Sequence, residues 1–597
     1  MDINKFYGGS CFDAYEFLGA HIEKGAVTFR TYAPNASKVA LIGDFSDWKE
    51  KPMKRSEDGA FFSVTTKLAH EGDRYKYRIY DSSGDFLDHC DPYGFGAEVR
   101  PGTCSVVRSI SDYEFTDSQW LEKRTDCKDK PLNIYEMHLG SWKRPSDEDG
   151  DWYTYREIAP LLADYLNGFG YNCVEFMPLS EHPADESWGY QSTGFFAPTS
   201  RYGTPADLQY LVDYLHSRNI SVILDFVPVH FAVNDYALYN YDGTHLYEYP
   251  SADIGYNEWG SCNFMHAHGD VRSFLHSAAE YWLREYHFDG LRIDAVRNLI
   301  YWQGEEGRGV NLDAVRFIRE LNSAIKSRYP SVMMIAEDSS DYGSVTKKIS
   351  ENGLGFDYKW DLGWMHDTLE FMQSSPMYRT RDYHKLTFSM LYFYNEHYIL
   401  PLSHDEVVHG KATIVQKMNG QYDDKFPQAR ALYMYMIAHP GKKLNFMGSE
   451  FGQLREWDEK REQDWDMLKY PLHDSFREYV KRLNEIYLTH SALYYDYDPT
   501  NFMWEDCNSP ERCVYAIRRK SADGDILAVV NMSDWYQSNY TVTVGEGYDV
   551  KLLVDSDSTV YSGRTPEGET NFNYYRDHID MDIPPFSGRM FLLGKDK

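Results

Sequence analysis

The chain has 597 residues, too many for one hydrophobic core, so two or three domains are expected. Its 61 basic and 92 acidic residues leave a net charge of −31, which repels nucleic acid and anionic membranes and suits a neutral ligand. Aromatic content is 16%, with 50 Tyr and 14 Trp, and such faces pack well against sugar rings.

Residues 15–112 read as all-β. Short β-rich runs (VTFRTYAP, KVALIGDFSDW, FFSVTT, RYKYRIYDSSGDF) alternate with turn signals, and Ser83-Gly84 marks a hairpin turn. A small β-sandwich over 1–112 is expected. The polar stretch that follows, Ser111 to Lys130, reads as a linker, placed at 113–130 between domains.

From Pro131 the texture changes. Eight apolar runs read as strands: Asn133 to Leu139, Asn172 to Leu179, Val222 to Pro228, Gly290 to Val296, Met333 to Glu337, Phe356 to Trp360, Ile399 to Ser403 and Lys443 to Gly448. Amphipathic stretches lie between them. Pro205 to Arg218, for example, sets Leu208, Leu211, Val212 and Leu215 on one face. Eight β-then-α units spell an α/β fold of the (β/α)8 TIM-barrel kind over 131–490. The connection 229–270 is long and rich in Tyr, Gly, Asn and Asp, as a functional lid or subdomain would be. Strand patterns return in CVYAIRRK, ILAVVNMS, YTVTVG, VKLLVDSD and RMFLLG, which predicts a second β-sandwich over 491–597.

The eight cysteines form no CxxC pair, which argues against zinc. The opening MDINKFYGGS lacks a charged-then-apolar leader pattern, and no apolar run reaches the ~20 residues of a membrane span. A reduced, cytoplasmic protein is expected.

Three acids close three of the apolar runs: Asp294 in GLRIDAV, Glu337 in MMIAEDS and Asp405 in ILPLSHDE. Carboxyl ends of barrel strands are where such enzymes keep their chemistry. If the strands near 290 and 333 are neighbours, their end carboxylates start roughly 4.8 Å apart. That suits the ~5–5.5 Å separation of a retaining glycosidase pair. Arg292 lies two positions before Asp294, so both side chains face one way and the guanidinium keeps the carboxylate ionised, as a nucleophile requires. A carboxyl at the mouth of an apolar core, as at Glu337, suits a general acid. Asp225 and His230 in DFVPVHF, and His404 beside Asp405, can hold sugar hydroxyls, and Tyr190 in SWGYQSTGFFAP can stack under a ring. Each position alone also reads as an ordinary structural group. Their gathering at one end of one predicted barrel points to chemistry.

On these residues the chain resembles the α-amylase superfamily of glycoside hydrolases and transferases. DFVPVHF, GLRIDAV, IAEDSS and LPLSHDE are similar to its four recurring regions. The strings YEMHLGSW, GLGFDYKWDLGWMHDTL, ILPLSHDEVVHGK and HPGKKLNFMGSEFGQLREW look like those of its glucan-branching members. The resemblance implies that Asp294 is the nucleophile and Glu337 the acid and then base, with Asp405 stabilising the transition state. It implies that Arg292 orients Asp294, and that Tyr190, Asp225, His230 and His404 line the subsite of the attacked glucose. It implies transfer of an α-1,4-glucan chain such as amylose or glycogen to a 6-hydroxyl, and glycan binding by the N-terminal module at GDFSDW, where Ser46 replaces the usual Asn. Val229 stands where calcium-dependent relatives carry an Asn ligand, so no metal is expected there, and no cofactor. A monomer or weak homo-oligomer is expected. Two other readings stay open: a hydrolase that sends the intermediate to water, and a non-catalytic glycan-binding scaffold.

Overall fold

The computed structural model describes residues 1–569 and 571–595. The chain forms two compact units: Met1–Thr125, His138–Ala163 and Phe176–Asp357 make one, and Asp126–Met137, Asp164–Glu175 and Tyr358–Lys597 the other. Eight parallel strands close into a barrel in chain order. They are β1 (Asn133–Met137), β2 (Cys173–Phe176), β3 (Ser221–Phe226), β4 (Gly290–Ile293), β5 (Met333–Ala336), β6 (Tyr358–Trp360), β7 (Tyr398–Leu402) and β8 (Lys442–Phe446). All eight expected runs contain a strand. β1, β2, β4, β5, β7 and β8 are buried along their whole length, as strands covered on both faces must be. Gly290 lets β4 approach β5, because a Cβ there would stand 2.8 Å from the Met333 carbonyl oxygen.

The helix Pro205–Ser217 begins with a capping box between Thr204 and Asp207 and buries Leu208, Leu211, Val212 and Leu215 against the barrel, as its periodicity predicts. At the N-terminus, two antiparallel sheets face one another, one built on Ala26–Tyr32 and Phe61–Thr66, the other on Lys38–Gly43 and Arg74–Tyr80. Phe29 and Tyr75 meet between them, ring centroids 4.8 Å apart. The expected hairpin at Ser83-Gly84 joins Arg74–Tyr80 to Phe86–His89. At the C-terminus, a five-stranded and a three-stranded sheet enclose one core of Val514, Leu527, Val529, Val542, Ile579 and Phe591.

The segment expected as a linker is strapped down. In the first unit, Asp213 accepts from Tyr113 Oη at 2.7 Å and from the Thr116 amide at 3.0 Å. Asp117, fully buried, accepts from His216 Nδ1 at 2.8 Å and from His287 Nδ1 at 2.9 Å. His216 Nε2 lies 3.0 Å from Asp289, which also accepts the indole N–H of Trp120 at 3.0 Å. In the second unit, the buried Lys442 donates to the carbonyls of Lys128 and Lys130 at 2.9 and 2.8 Å. The segment is thus anchored at a few points, Tyr113, Thr116, Asp117, Trp120 and the carbonyls of Lys128 and Lys130, while most of its polar side chains stay exposed.

Burial works against charge on His216, but Asp289 and Asp117 outweigh it and raise the imidazole from 6.5 to about 9. A raised pKa in the folded state gives stability that is complete below about pH 6.5 and lost as pH rises through about 9. The difference corresponds to roughly 3 kcal/mol. Urea midpoints measured from pH 6.5 to 10 should fall more steeply for the wild type than for His216→Gln. Parallel curves would mean that His216 carries no such coupling.

Candidate active site

Register builds the first half of the site. β3 and β4 pair Asp225 with Arg292, and β4 and β5 pair Ile293 with Ala336. The next positions in that register are Asp294 and Glu337, just past the strand ends. The ladder continues through the backbone there: Asp294 N donates to Phe226 O and Glu337 N to Ile293 O, both at 3.1 Å. Ala295 then turns the chain with φ 46°, an uncommon conformation for a residue with a Cβ. Glu337 holds that turn, Oε2 accepting from Ala295 N at 2.8 Å and the main-chain carbonyl accepting from Val296 N at 2.9 Å.

Arg292 is the shared cation. Its Nη1 lies 2.8 Å from both oxygens of Asp225 and 2.7 Å from Asp294 Oδ1, and its Nη2 lies 3.9 Å from Glu337 Oε2. The side chains of Arg292 and Asp225 are 1% and 2% exposed, those of Asp294 and Glu337 15% and 19%. Asp294 and Glu337 can therefore reach a ligand, while Asp225 and Arg292 stand behind them. Tyr190 donates its hydroxyl to Asp225 Oδ2 at 2.6 Å, which fixes a half-buried ring. Burial pushes Asp225 above the usual carboxylate range, Arg292 pulls it down and the charge of Asp294 pushes it up. His230 is buried, its Nδ1 has no partner among the described residues, and burial lowers its pKa to about 4, with Asp294 opposing. Its imidazole is neutral at pH 7 and can offer a hydrogen bond to a hydroxyl.

A cavity of about 610 Å3 opens beside Glu337, walled by Tyr256, Trp259, Arg297, Asn298, Gln303 and Arg308. The 229–270 connection supplies one wall. It is ordered by Asn257, whose Oδ1 accepts the amides of Trp259 and Ser261, and by Gln303, whose Nε2 donates to the carbonyls of Asp253 and Tyr256. The Trp259 ring is 45% exposed and lies 5.4 Å from the ring of His230. A smaller cavity of about 240 Å3, among Cys90, Glu98 and Tyr236, touches none of the expected site residues.

His404 and Asp405 belong to the second unit. They lie in a single turn directly after β7. The buried Glu136 of β1 accepts from the His404 amide at 3.1 Å and pairs with its ring Nδ1. His404 Nε2 lies 3.4 Å from Asp405 Oδ1, and the Asp405 side chain is 55% exposed. Within the first unit the structure gathers Tyr190, Asp225, His230, Arg292, Asp294 and Glu337. Within the second it sets His404 beside Asp405.

Sequence reasoning missed Glu136 as a site residue. The signal was present: one acid inside the apolar run NIYEM has to be paired if it is buried. It also left out Arg297 and Asn298, which lie in the five-residue helix Val296–Ile300 after β4, too short to show a period, and Gln303, which sits at φ 56°. Among the described residues no group of three or more His, Cys, Asp or Glu gathers as a metal cradle.

A closed parallel barrel with carboxylates past the ends of adjacent strands is the arrangement of a barrel enzyme. Comparison with known proteins narrows this. The carbohydrate-binding module 48 family (isoamylase N-terminal domain) matches residues 17–94, the α-amylase catalytic domain matches 142–245 and 257–527, and the α-amylase C-terminal all-β domain matches 504–594. The 1,4-α-glucan branching enzyme of Fusobacterium nucleatum is 43% identical, over 98% of this chain and 97% of its own. That of Halothermothrix orenii is 43% identical with the same coverage of both chains. A solved pullulanase from Paenibacillus barengoltzii shares the fold, with a TM-score of 0.74 at 15% identity over 99% of this chain and 97% of its own. The chain belongs to the α-amylase family and, within it, to the 1,4-α-glucan branching enzymes.

The hydroxyl of Tyr190 stabilises the Asp225 anion, so Tyr190→Phe should raise the pH at which Asp225 takes up a proton. The acid limb of kcat/KM against pH should move to higher pH in that variant. A limb that stays in place would mean that Asp225 does not govern it.

Proposed function

We propose that this protein builds α-1,6 branches into linear α-1,4-glucan by a retaining double displacement, as a glycogen-forming transglycosylase. The Asp294 carboxylate attacks the anomeric carbon, the bond from that carbon to O4 breaks, and Glu337 gives its proton to O4 of the leaving chain. The 6-hydroxyl of a second glucose then gives its proton to Glu337 and attacks the same carbon, displacing Asp294. Two inversions restore the starting configuration. Arg292 orients and charges Asp294. Asp405 and His404 hold hydroxyls of the reacting sugar, and Tyr190, Asp225 and His230 complete its subsite.

The single observation that carries this reading is Arg292 bonded to Asp294 and Asp225, with Glu337 one strand over in the same register. Kinship with branching enzymes over 98% of the chain supports the choice of a glucan hydroxyl over water as acceptor. The cavity beside Glu337 supports a place for that acceptor chain, with Trp259 as the ring it packs on.

In this reading residues 1–112 form a glycan-binding module, 113–130 the connecting segment, 131–490 the catalytic barrel and 491–597 a C-terminal β domain. The protein acts in the cytoplasm as a monomer or weak homo-oligomer. No helix among the described residues is long and apolar enough to cross a membrane.

Proton NMR of linear amylose before and after incubation tests the activity. New α-1,6 anomeric signal with almost no gain in reducing ends is expected; rising reducing ends without that signal would make the acceptor water. Asp294→Ala should lower turnover by several orders of magnitude, as loss of a covalent nucleophile does. A variant within about tenfold of wild type would overturn that role. Trp259→Ala should shift the product ratio toward reducing ends while leaving bond cleavage within about tenfold, since it touches the acceptor and not the broken bond. An unchanged ratio would remove Trp259 from acceptor binding.

A further inference from the structure

The loop that follows Asp405 is held from two sides. Residues His409, Gly410 and Ala412 adopt φ of 57°, 79° and 66°, so two residues with side chains sit in the left-handed region within four positions. A backbone of that kind persists only where its surroundings over-determine it. The carbonyl side is held by one ammonium: Lys417 Nζ donates to Glu406 O at 2.6 Å, to Lys411 O at 2.5 Å and to Ala412 O at 2.7 Å. The amide side is held by one carboxylate: Glu456 accepts from Gly410 N at 2.9 Å and from Ala412 N at 2.7 Å. The next residue, Trp457, donates its amide to Val407 O at 3.0 Å and sets its ring 6.2 Å from that of His404. Ala412 is therefore gripped at both its N–H and its C=O.

This grip has little to do with packing a core. Lys417 is 5% exposed, and a buried ammonium spends all three N–H donors on one short loop. Lys411 also pairs with the Glu406 side chain at 3.1 Å, so the acid next to Asp405 is tied as well. The Asp405 side chain, by contrast, projects 55% exposed from the start of the held segment. A carboxylate that must meet sugar hydroxyls from a loop needs that loop fixed, because a displacement of about 1 Å can cost up to 100-fold in rate.

We propose that Lys417 and Glu456 are positioning residues, a two-sided clamp on residues 406–412 that aims Asp405 at the reacting sugar. The clamp rests on the role given above to Asp405, and the test separates the two.

Branching of amylose is measured as kcat and KM for Lys417→Met and Glu456→Gln, each alone and combined with Asp405→Asn. Hydrogen exchange of the peptide spanning 406–416 is followed in parallel. Lys417→Met should lower kcat by about 10- to 100-fold with KM within about threefold, and should speed exchange in 406–416 while leaving the barrel strands unchanged. In the Asp405→Asn background its further effect should shrink to within about threefold, because both changes then remove the same contribution. Glu456→Gln keeps an oxygen acceptor and should show the same pattern more weakly, which preserves the test if Lys417→Met fails to fold. Unaltered exchange in 406–416, or an equal loss of kcat with and without Asp405, would overturn the clamp. Asp405→Asn alone at wild-type rate would instead overturn the role of Asp405 and leave the exchange result to judge the clamp.

Discussion

A single buried guanidinium organises the candidate site of this protein. Taking a charged group out of water costs several kcal/mol unless partners replace the solvent. Arg292, at 1% exposure, regains that cost through Asp225 and Asp294 together. The debt runs both ways, since Asp225 is as deeply buried and would be an unpaired anion without Arg292. The pair therefore fixes the register of β3 on β4, because a one-residue slip would turn Asp225 to the opposite face and strand two charges. Fixing that register fixes Asp294, and the register of β4 on β5 fixes Glu337 opposite it. Position along the barrel mouth follows from charge burial in its wall.

The two acids proposed to react, Asp294 and Glu337, differ from their neighbours in how they meet solvent. Asp225 and Arg292 lie in the strands, while Asp294 and Glu337 stand one residue beyond them. That one residue matters. Inside a buried strand a carboxylate acts through its neighbours, as Asp225 does through Arg292 and Tyr190, and far out on a loop it would lose its aim. The first position past the strand keeps the ladder hydrogen bond on its amide and frees the side chain to point outward.

Much of this was legible in the sequence. The eight strands were marked by continuous apolar runs, which parallel strands require, and the acids stood out because they ended those runs. Several expected strands ran two or three residues too far, as at Pro228, Leu139 and Val296, because these apolar residues are buried as well, although Leu139 and Val296 already open short helices. Composition could not separate a buried residue that bonds forward from one that turns away. The same limit hid Glu136, whose charge looked like an ordinary strand position until His404 came to it through the fold. The polarity of 111–130 matches its exposure, but its anchors on Asp213, His216 and Asp289 were hidden because those partners are distant in sequence.

Strained backbone recurs next to the reacting groups, and carboxylates hold it. Ala295 follows Asp294 at φ 46° and is held through Glu337 Oε2; Ala412 lies seven residues past Asp405 at φ 66° and is held through Glu456. In the first case the holding group is also the proposed proton donor. Oε2 accepts the Ala295 amide and lies 3.9 Å from the Arg292 guanidinium. Glu337 and Asp294 are thus tied through one amide, and the contact that holds the Glu337 side chain also holds the turn that follows Asp294.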